Sequence, residues 1–236
     1  AGGEAALANI VPYITSKFDV FLANDIMRPI IAQEKSSINF REIMDNKKIL
    51  LVNLSKGRLG DVNANLIGLI LVGKILMAAL SRSGAAGFPP FYLHIDEFQN
   101  ITTDSIATII SEARKYKLSL TVAHQFISQL EESIKNAVFG NVGSIISFRV
   151  GADDAEYLEK QFAPVFSAKD LMNIDNRNAF LKLLVDGRPE KPFSMETLAP
   201  SEGNRELIDI LSEKTKLKYG RNREEVEKEI LAKYGN

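Results

Sequence analysis

The sequence predicts an α/β fold with a mostly parallel sheet and an antiparallel edge hairpin. Two apolar runs, 91–95 and 118–123, each end in polar side chains, and a helical pattern separates them. A strand, a helix and a second strand of these lengths form a βαβ unit, whose strands are parallel neighbours. The hairpin is predicted because the strand-like segments 178–185 and 191–195 are joined through an Asp-Gly turn.

The composition is that of an ordinary globular protein, with 45% apolar and 25% charged residues among 236. The absence of cysteine excludes disulfides and thiolate metal sites, and two histidines alone argue against structural zinc. The net charge of −1 provides no global attraction for nucleic acid. Any contact with DNA must therefore come from local loops or from an assembled surface.

Three parts are expected along the chain. Residues 1–36 have a helical pattern that Pro29 ends or kinks, residues 37–200 carry the α/β pattern, and residues 201–236 are charged and helical. The chain begins with Ala-Gly-Gly and has no visible signal peptide, so we expect it to be a fragment of a longer protein.

A further buried strand is predicted at 49–54, where an apolar run follows Lys48. It ends in a flexible basic loop, 55–60, at the same edge of the sheet as Asp96 if the strands are parallel. Backbone N–H groups of this loop, with Lys56 or Arg58, could contact phosphate. The simpler alternative is a turn that leads into the next helix.

Residues 62–80 are nearly all apolar, and we expect a helix buried within the domain because 66–80 is too short to span a membrane. Within it, 68–75 has the spacing of a phosphate-binding P-loop, but Ile75 replaces the hydroxyl residue that binds Mg²⁺. Since no strand precedes this segment, the chain has no credible Walker A motif.

Asp96 and Glu97 follow the apolar run 91–95 directly. Ligands of open α/β sheets lie beyond the carboxyl ends of the strands, where these two carboxylates would emerge. One carboxylate can hold Mg²⁺ through water while its neighbour orients or deprotonates an attacking water, which is the form of a Walker B element. Alternatively, both acids are favourable charges at a helix N-terminus.

The segment 103–117 is predicted to be an amphipathic helix that ends in Arg114 and Lys115. Its buried stripe consists of Ile106, Ile109, Ile110 and Ala113, with a cap at Thr102 or Thr103 and Asp104 in its first turn. A solvated basic helix end is the simplest interpretation of the two cations.

Gln125 stands at the carboxyl end of the second strand and should emerge beside Asp96 and Glu97. A glutamine there can sense a γ-phosphate or steer a water, or it can satisfy loop backbone groups. The neighbouring His124 is predicted to be a packed side chain.

Three motifs together resemble the TraG/TraD-type coupling ATPases of conjugation and type IV secretion, relatives of the FtsK and HerA DNA pumps. They are Tyr92-Leu93-His94-Ile95-Asp96-Glu97-Phe98-Gln99, Ser111-Glu112-Ala113-Arg114-Lys115-Tyr116 and Leu120-Thr121-Val122-Ala123-His124-Gln125. The segments 53–60 and 148–151 also resemble that family. The resemblance covers roughly residues 15–200.

The resemblance implies part of a RecA-like, P-loop NTPase three-layer sandwich that uses ATP and Mg²⁺. Asp96 would hold the Mg²⁺ through water, Glu97 would activate the hydrolytic water, and Gln125 would read the γ-phosphate. Arg114 matches the arginine that the family presents to a neighbouring subunit's nucleotide. Two further residues, Lys56 and Arg149, are candidates for nucleotide contact.

In that family the P-loop, the transmembrane helices and most of an inserted helical domain lie upstream of everything present here. Residues 1–36 would be the remnant of that helical domain, and 37–200 the carboxyl-terminal part of the motor. The chain alone would then hold ATP weakly and be inactive and monomeric, whereas the intact protein would be a homo-hexamer at the cytoplasmic face of the bacterial inner membrane. Its implied partners are single- or double-stranded DNA, a relaxase or secreted effector, and inner-membrane secretion components.

Two alternatives to the motor remain open. Asp96-Glu97-Phe98-Gln99 also fits the DExQ box of a helicase fragment, although the residues after Met195 leave no room for a second RecA-like half. The other alternative is a non-catalytic ATPase-like module that binds a relaxase, an effector or a partner subunit.

Overall fold

The computed structural model describes residues 10–13, 15, 16, 18, 19, 21–82, 87–102, 106 and 110–234. The chain divides into two units: residues 1–75 with 203–236, and residues 76–202. Of the candidate site residues, only Lys56 lies in the first unit. The division into parts 1–36, 37–200 and 201–236 remains a prediction.

The amino-terminal helix ends earlier than predicted. The described residues among 10–22 are helical, and a new helix, Met27–Ile31, follows. Asn24 separates the two, because its Oδ1 accepts hydrogen bonds from the backbone N of Ile26 (2.9 Å) and of Met27 (3.0 Å). Pro29 therefore does not end the first helix but lies in the first turn of the second, where a missing N–H costs little. Residues 1–9 of the predicted helical part lie outside the described residues.

The predicted strand 49–54 is not formed. These residues carry no strand assignment, and the side chains of Ile49 and Leu51 are 89% and 82% exposed. A strand exists only when its backbone groups pair with a neighbour, and the described residues supply none here. The basic segment 55–60 agrees with the simpler of the two alternatives, because Lys56–Leu59 forms one helical turn that leads into the helix beginning at Asp61.

The long apolar stretch forms one helix, Asp61–Leu80. The pseudo-P-loop 68–75 lies inside this helix and is therefore not a loop. The helix is less buried than predicted: only 22% of its most apolar 18-residue window, with mean hydropathy 1.8, is buried. Because it is apolar nearly all round, burying one stripe leaves Val62 and Met77 exposed. By length and composition it could cross a membrane, a criterion that core helices of soluble proteins also meet.

The carboxyl-terminal residues of the first unit form two helices, Arg205–Tyr219 and Arg223–Tyr234. Asn204 caps the first, with its Oδ1 accepting from the backbone N of Leu207 at 3.1 Å. No residue of this first helix is buried. The second helix buries Val226, and Lys233 forms an ion pair with Glu34 at 3.4 Å.

The second unit begins with the predicted parallel pair. Strand β1 (Phe91–Ile95) pairs with β2 (Leu118–Val122), in register from Phe91 opposite Leu118 to Ile95 opposite Val122. The predicted parallel pairing of these two strands is confirmed. The connection between them is helical at 106 and 110–112 and ends as a 3₁₀ turn, Ala113–Tyr116. Thr103, Asp104 and Ile109 of the predicted helix lie outside the described residues.

A buried arginine ties the amino ends of β1 and β2 together. Arg82 is 3% exposed, and its Nη1 donates to the carbonyl oxygens of Pro89 (3.1 Å) and Tyr116 (3.3 Å). Its guanidinium also lies 5.4 Å from the ring centroid of Phe88. These contacts hold together the two segments that lead into β1 and β2. They therefore stabilise the register of the two strands, which determines how the polar residues at the other ends of the strands lie relative to one another.

The sheet is mostly parallel in the prediction, but in the structure only β1 and β2 are parallel among the described residues, and a separate sheet is antiparallel. Strand β3 (Ile145–Ser147) pairs with β4 (Asn178–Lys182), which pairs in turn with β7 (Phe193–Glu196). The predicted hairpin is confirmed by the pairing of β4 with β7. Between them, β5 (Leu184–Val185) and β6 (Arg188–Pro189) form a tight hairpin whose turn contains Gly187 at φ 78°. The described residues thus form an α/β fold with small parallel and antiparallel sheets.

The core of the second unit lies under the helix Ala152–Phe162. This helix buries Ala155, Leu158 and Phe162, at positions i, i+3 and i+7. Its buried neighbours are Ile127, Leu171 and Ile174. The remaining helices described in this chain are Phe40–Asp45, Glu132–Asn141 and Ala168–Met172.

We expect Asp154→Ala to lower the free energy of unfolding by about 1–3 kcal/mol. Asp154 is 7% exposed, and its Oδ2 accepts from the backbone N of Ile127 at 3.1 Å, so the substitution leaves a buried donor without its acceptor. Urea unfolding at pH 7 measures the loss. Asp153→Ala is the matched control, since Asp153 is exposed in the same helical turn; equal losses in both variants would contradict the prediction.

Candidate functional site

The carboxyl ends of β1 and β2 continue side by side beyond the last strand residues. The backbone N of Ala123 donates to the carbonyl of Ile95, and the backbone N of Phe98 donates to the carbonyl of Ala123, both at 2.9 Å. Asp96 and Glu97 lie between these two bonds, and Gln125 lies two residues beyond Ala123. The backbone pairing therefore brings the carboxylates and the amide to one edge.

Glu97 occupies an unusual backbone conformation. Its φ of 52° and ψ of 44° are left-handed, which costs a residue with a side chain about 1–2 kcal/mol. A 3₁₀ turn, Phe98–Ile101, follows, with both end residues buried. The backbone N and the Nδ2 of Asn100 donate to the carbonyl of Glu97 at 3.0 and 3.1 Å. These contacts hold the strained residue, and such strain is concentrated at functional sites.

Two glutamine side chains hold the carboxylate of Glu97. Gln125 Nε2 donates to Glu97 Oε1 at 2.8 Å, and Gln99 Nε2 donates to Glu97 Oε2 at 2.7 Å. The expected proximity of Gln125 to the acids is thus observed as a direct hydrogen bond. Gln125 is exposed, whereas Glu97 and Gln99 are partly buried. A carboxylate held in this way can accept a proton from a water molecule that approaches the exposed edge.

Asp96 is exposed beside this cluster, and its Oδ1 accepts a hydrogen bond from the backbone N of Glu97 at 2.9 Å. Among the described residues no group of three His, Cys, Asp or Glu side chains could hold a metal ion. The arrangement fits Mg²⁺, which binds through one or two carboxylates together with waters and substrate phosphates. It does not fit a metal that requires several protein ligands, such as structural zinc.

His124, next to Gln125, is partly buried as predicted for a packed side chain. Burial lowers the pKa of His124 below its ordinary value, and the charge of Asp154 opposes this shift. The imidazole is therefore neutral at pH 7. Its Nδ1 is buried and has no hydrogen-bond partner among the described residues.

Arg114 lies far from the carboxylates of Asp96 and Glu97 in its own chain. It is exposed in the 3₁₀ turn Ala113–Tyr116, which enters β2 at its amino end. Asp96 and Glu97 lie at the carboxyl end of the neighbouring strand. The five residues of β1 between the two ends span about 16 Å. Arg114 is therefore not part of the cluster formed by Glu97, Gln99 and Gln125.

The two remaining candidates are exposed and have local partners. Lys56 Nζ lies 3.6 Å from Asp61 Oδ1, an exposed ion pair of small energetic weight. Arg149 follows β3, and its Nη2 donates to Asn176 Oδ1 at 3.3 Å. Within the second unit, the structure shows no hydrogen bond of Arg149 to the carboxylates of Asp96 or Glu97.

The contact of Gln99 with Glu97 was not predicted from the sequence. Two residues apart on a strand, these side chains would share a face, but here Glu97 turns left-handed and Gln99 lies in the following 3₁₀ turn. A non-glycine left-handed residue has no reliable sequence signal. The only sequence clue was the position of Gln99 in the segment Asp96-Glu97-Phe98-Gln99.

Comparisons with known proteins agree with the resemblance seen in the motifs. Residues 90–172 match the protein family described as the TraM recognition site of TraD and TraG. The plasmid coupling protein TrwB, solved in complex with the non-hydrolysable GTP analogue GDPNP, is 14% identical with a TM-score of 0.58. The alignment covers 78% of this chain and 48% of that chain. No curated protein matches the chain.

An unbound monoclinic form of the bacterial conjugative coupling protein TrwBdeltaN70 is also similar, at 15% identity and a TM-score of 0.48. That match covers 57% of this chain and 37% of the other. The chain thus spans about half the length of TrwB or less. Residues 90–172, which contain β1, β2 and the Glu97 cluster, match the family described as the TraM recognition site of TraD and TraG, and the chain that carries them has a fold similar to part of the coupling protein TrwB.

Proposed function

We propose that this chain is part of a DNA- or protein-translocating ATPase motor, the Walker B half of a coupling protein of conjugation or type IV secretion. The observation that carries the proposal is the hydrogen bond of 2.8 Å between Gln125 and Glu97, beside Asp96, at the carboxyl ends of two parallel strands. That edge is where α/β sheets bind their ligands. The GTP analogue bound by TrwB supports a nucleoside triphosphate as the ligand.

The chemistry of the cluster suits phosphoanhydride hydrolysis. Mg²⁺ bound with ATP would neutralise charge that develops on the phosphate oxygens. Asp96, exposed and acceptor-only, would hold the hydrated ion. Glu97 would take the proton that the attacking water loses, and the exposed Gln125 would donate an N–H to the terminal phosphate. Lys56 and Arg149 remain candidates for additional nucleotide contacts.

The other parts of the motor would come from outside this chain. We propose that a Walker A loop and a membrane anchor lie upstream in the gene and that the intact protein forms a hexamer at the cytoplasmic face of the inner membrane. DNA would contact loops of the assembled ring, because the net charge of −1 offers no general attraction. The chain alone would bind nucleotide weakly.

A partner-binding role has its own support. The family that matches residues 90–172 is described by the recognition of TraM, which favours a partner protein on this part of the chain. A relaxase, a secreted effector and inner-membrane secretion components are further candidate partners. Partner binding is compatible with the motor, but it would be the whole function if the full gene lacked a Walker A motif.

The decisive test is ATP hydrolysis by the full-length gene product, measured with Mg²⁺ in the presence and absence of DNA. We expect hydrolysis that DNA stimulates. A full gene without G-x-x-x-x-G-K-[ST] after a predicted strand, together with no hydrolysis, would favour the non-catalytic module. Unwinding of duplex DNA without any transport role would favour the helicase alternative.

We expect Asp96→Asn to raise the Mg²⁺ concentration needed for half-maximal hydrolysis about 10- to 100-fold. The amide keeps the size of the side chain but removes the negative charge that attracts the ion. The measurement is a Mg²⁺ titration of the hydrolysis rate. Asp209→Asn, the same change on an exposed helix position, is the control; coincident titration curves for both variants and wild type would remove Asp96 from this role.

A further inference from the structure

Gln99 contacts the carboxylate of Glu97 on the side opposite to Gln125. Its Nε2 lies 2.7 Å from Glu97 Oε2, while Gln125 Nε2 lies 2.8 Å from Oε1. Each carboxylate oxygen therefore has its own amide donor. Neither the family match over residues 90–172 nor the motif resemblance to coupling ATPases assigns a role to Gln99.

The orientation of the Gln99 amide is determined by Glu97. An ionised carboxylate only accepts hydrogen bonds, so the NH₂ group of Gln99 must face it. Its carbonyl oxygen, Oε1, then points into the protein, where it is buried and has no donor among the described residues. A buried carbonyl without a donor is unfavourable. The contact with Glu97 outweighs this cost, as expected when the acceptor is charged.

Gln99 and Gln125 differ in how firmly they are held. Gln99 lies in the 3₁₀ turn Phe98–Ile101, where Phe98 is 0% and Ile101 is 8% exposed. The hydroxyl of Thr102 donates to the backbone carbonyl oxygen of Gln99 at 3.3 Å. Gln125 is exposed, in a segment without helix or strand structure. When a phosphate attracts Gln125, only Gln99 remains fixed to Glu97.

We infer that Gln99 is a positioning residue, which holds the Glu97 carboxylate in place for the attacking water while Gln125 turns to the terminal phosphate. This role rests on the proposed hydrolysis of a nucleoside triphosphate. The contact itself belongs to the chain and is testable without any activity.

The first experiment follows the side-chain NH₂ signals of Gln99 and Gln125 by ¹⁵N NMR in the 236-residue chain. Glu97→Ala removes the common acceptor, and we expect both pairs of signals to shift toward the positions of solvent-exposed amides. The NH₂ signals of Gln129, an exposed residue of the 3₁₀ turn Ile127–Gln129, should stay unchanged. Gln99 signals that do not respond to Glu97→Ala would overturn the contact.

The second experiment compares Gln99→Leu with Gln129→Leu in the full-length gene product. The two variants make the same chemical change in two 3₁₀ turns, but only Gln99 contacts Glu97. We expect Gln99→Leu to lower kcat for ATP hydrolysis about tenfold, less than the roughly 10²- to 10⁴-fold contributed by a general base, with KM within about twofold of wild type. Gln99→Asn, which keeps the amide, should recover part of the loss.

Equal kcat in Gln99→Leu and wild type, or a loss in KM alone, would overturn the positioning role. A wild-type protein that hydrolyses no ATP would instead contradict the proposed function. The NMR result separates the two failures, because it reports on the bond between Gln99 and Glu97 whether or not the protein is an ATPase.

Discussion

Glu97→Gln is expected to lower the rate of ATP hydrolysis by the full-length gene product about 10²- to 10⁴-fold while leaving nucleotide binding intact. The amide has the shape of the carboxylate but cannot take a proton from water. Glu97 lies beside Asp96 rather than at a position that would hold the nucleotide itself, so binding should be conserved. Single-turnover hydrolysis and equilibrium binding of ATP, measured on the same preparation, separate the two effects.

The cluster predicts a second consequence of the same substitution. Both oxygens of Glu97 accept from amide donors, at 2.8 and 2.7 Å, so an amide at position 97 would place its own NH₂ against one of them. One of the two glutamines must then turn away or flip its amide so that its oxygen accepts from the new NH₂. Glu97→Asp is a complementary variant, because it keeps the negative charge but places the carboxylate one methylene group closer to the backbone.

Glu131→Gln is the control, since Glu131 is exposed and makes no capping hydrogen bond with its side chain. Unchanged turnover in Glu97→Gln would remove Glu97 from its catalytic role. Loss of nucleotide binding together with turnover would show that the substitution disrupts the 3₁₀ turn after Glu97 rather than the chemistry.

The residues at the ends of β1 and β2 were predictable because the signals for them are local. An apolar run that stops at two acids, a helical pattern and a second apolar run together define a βαβ unit. The parallel direction follows from a connection that is long enough for a crossover, whereas the register is known only from the structure. The proximity of Gln125 to Glu97 is then a consequence of two neighbouring strands ending at one edge.

Two of the failed predictions, the strand 49–54 and the mostly parallel sheet, depend on contacts that are distant in sequence. Residues 49–54 have the composition of a strand, but a strand also needs a neighbour for its backbone groups. Likewise, composition does not determine which strand pairs with β3, and the structure pairs it with β4. The contact of Gln99 with Glu97 depends on one left-handed residue, which local propensity disfavours. Tertiary packing decides each of these features.

Arg114→Ala is expected to reduce hydrolysis by the assembled protein about 10³- to 10⁵-fold, the contribution of an arginine finger where one operates. The structure argues that such a role must act between subunits. Arg114 is exposed at the amino end of β2, about 16 Å along the strands from the carboxyl end that carries Glu97. A side chain cannot span that distance, so any contact of Arg114 with a nucleotide would have to be with that of a neighbouring subunit.

Lys115→Ala is the matched control. Lys115 is the adjacent cation in the same 3₁₀ turn, exposed and paired with Glu112 at 3.8 Å, and its removal should change the rate little. Arg114→Lys distinguishes charge from geometry, because an ammonium group cannot reproduce the planar fork with which arginine binds phosphate oxygens. We therefore expect Arg114→Lys to remain strongly impaired.

Mixing Arg114→Ala protein with Glu97→Gln protein tests the assignment to a neighbouring subunit. Each variant alone lacks one half of every site. In a ring assembled at random from equal amounts, about one quarter of the head-to-tail interfaces would join an intact Glu97 to an intact Arg114. Partial recovery of hydrolysis is therefore expected, with a maximum near equal mixing. Recovery can arise only if the two residues meet across an interface, so its absence in rings shown to contain both variants would assign Arg114 to the solvated surface of its own subunit.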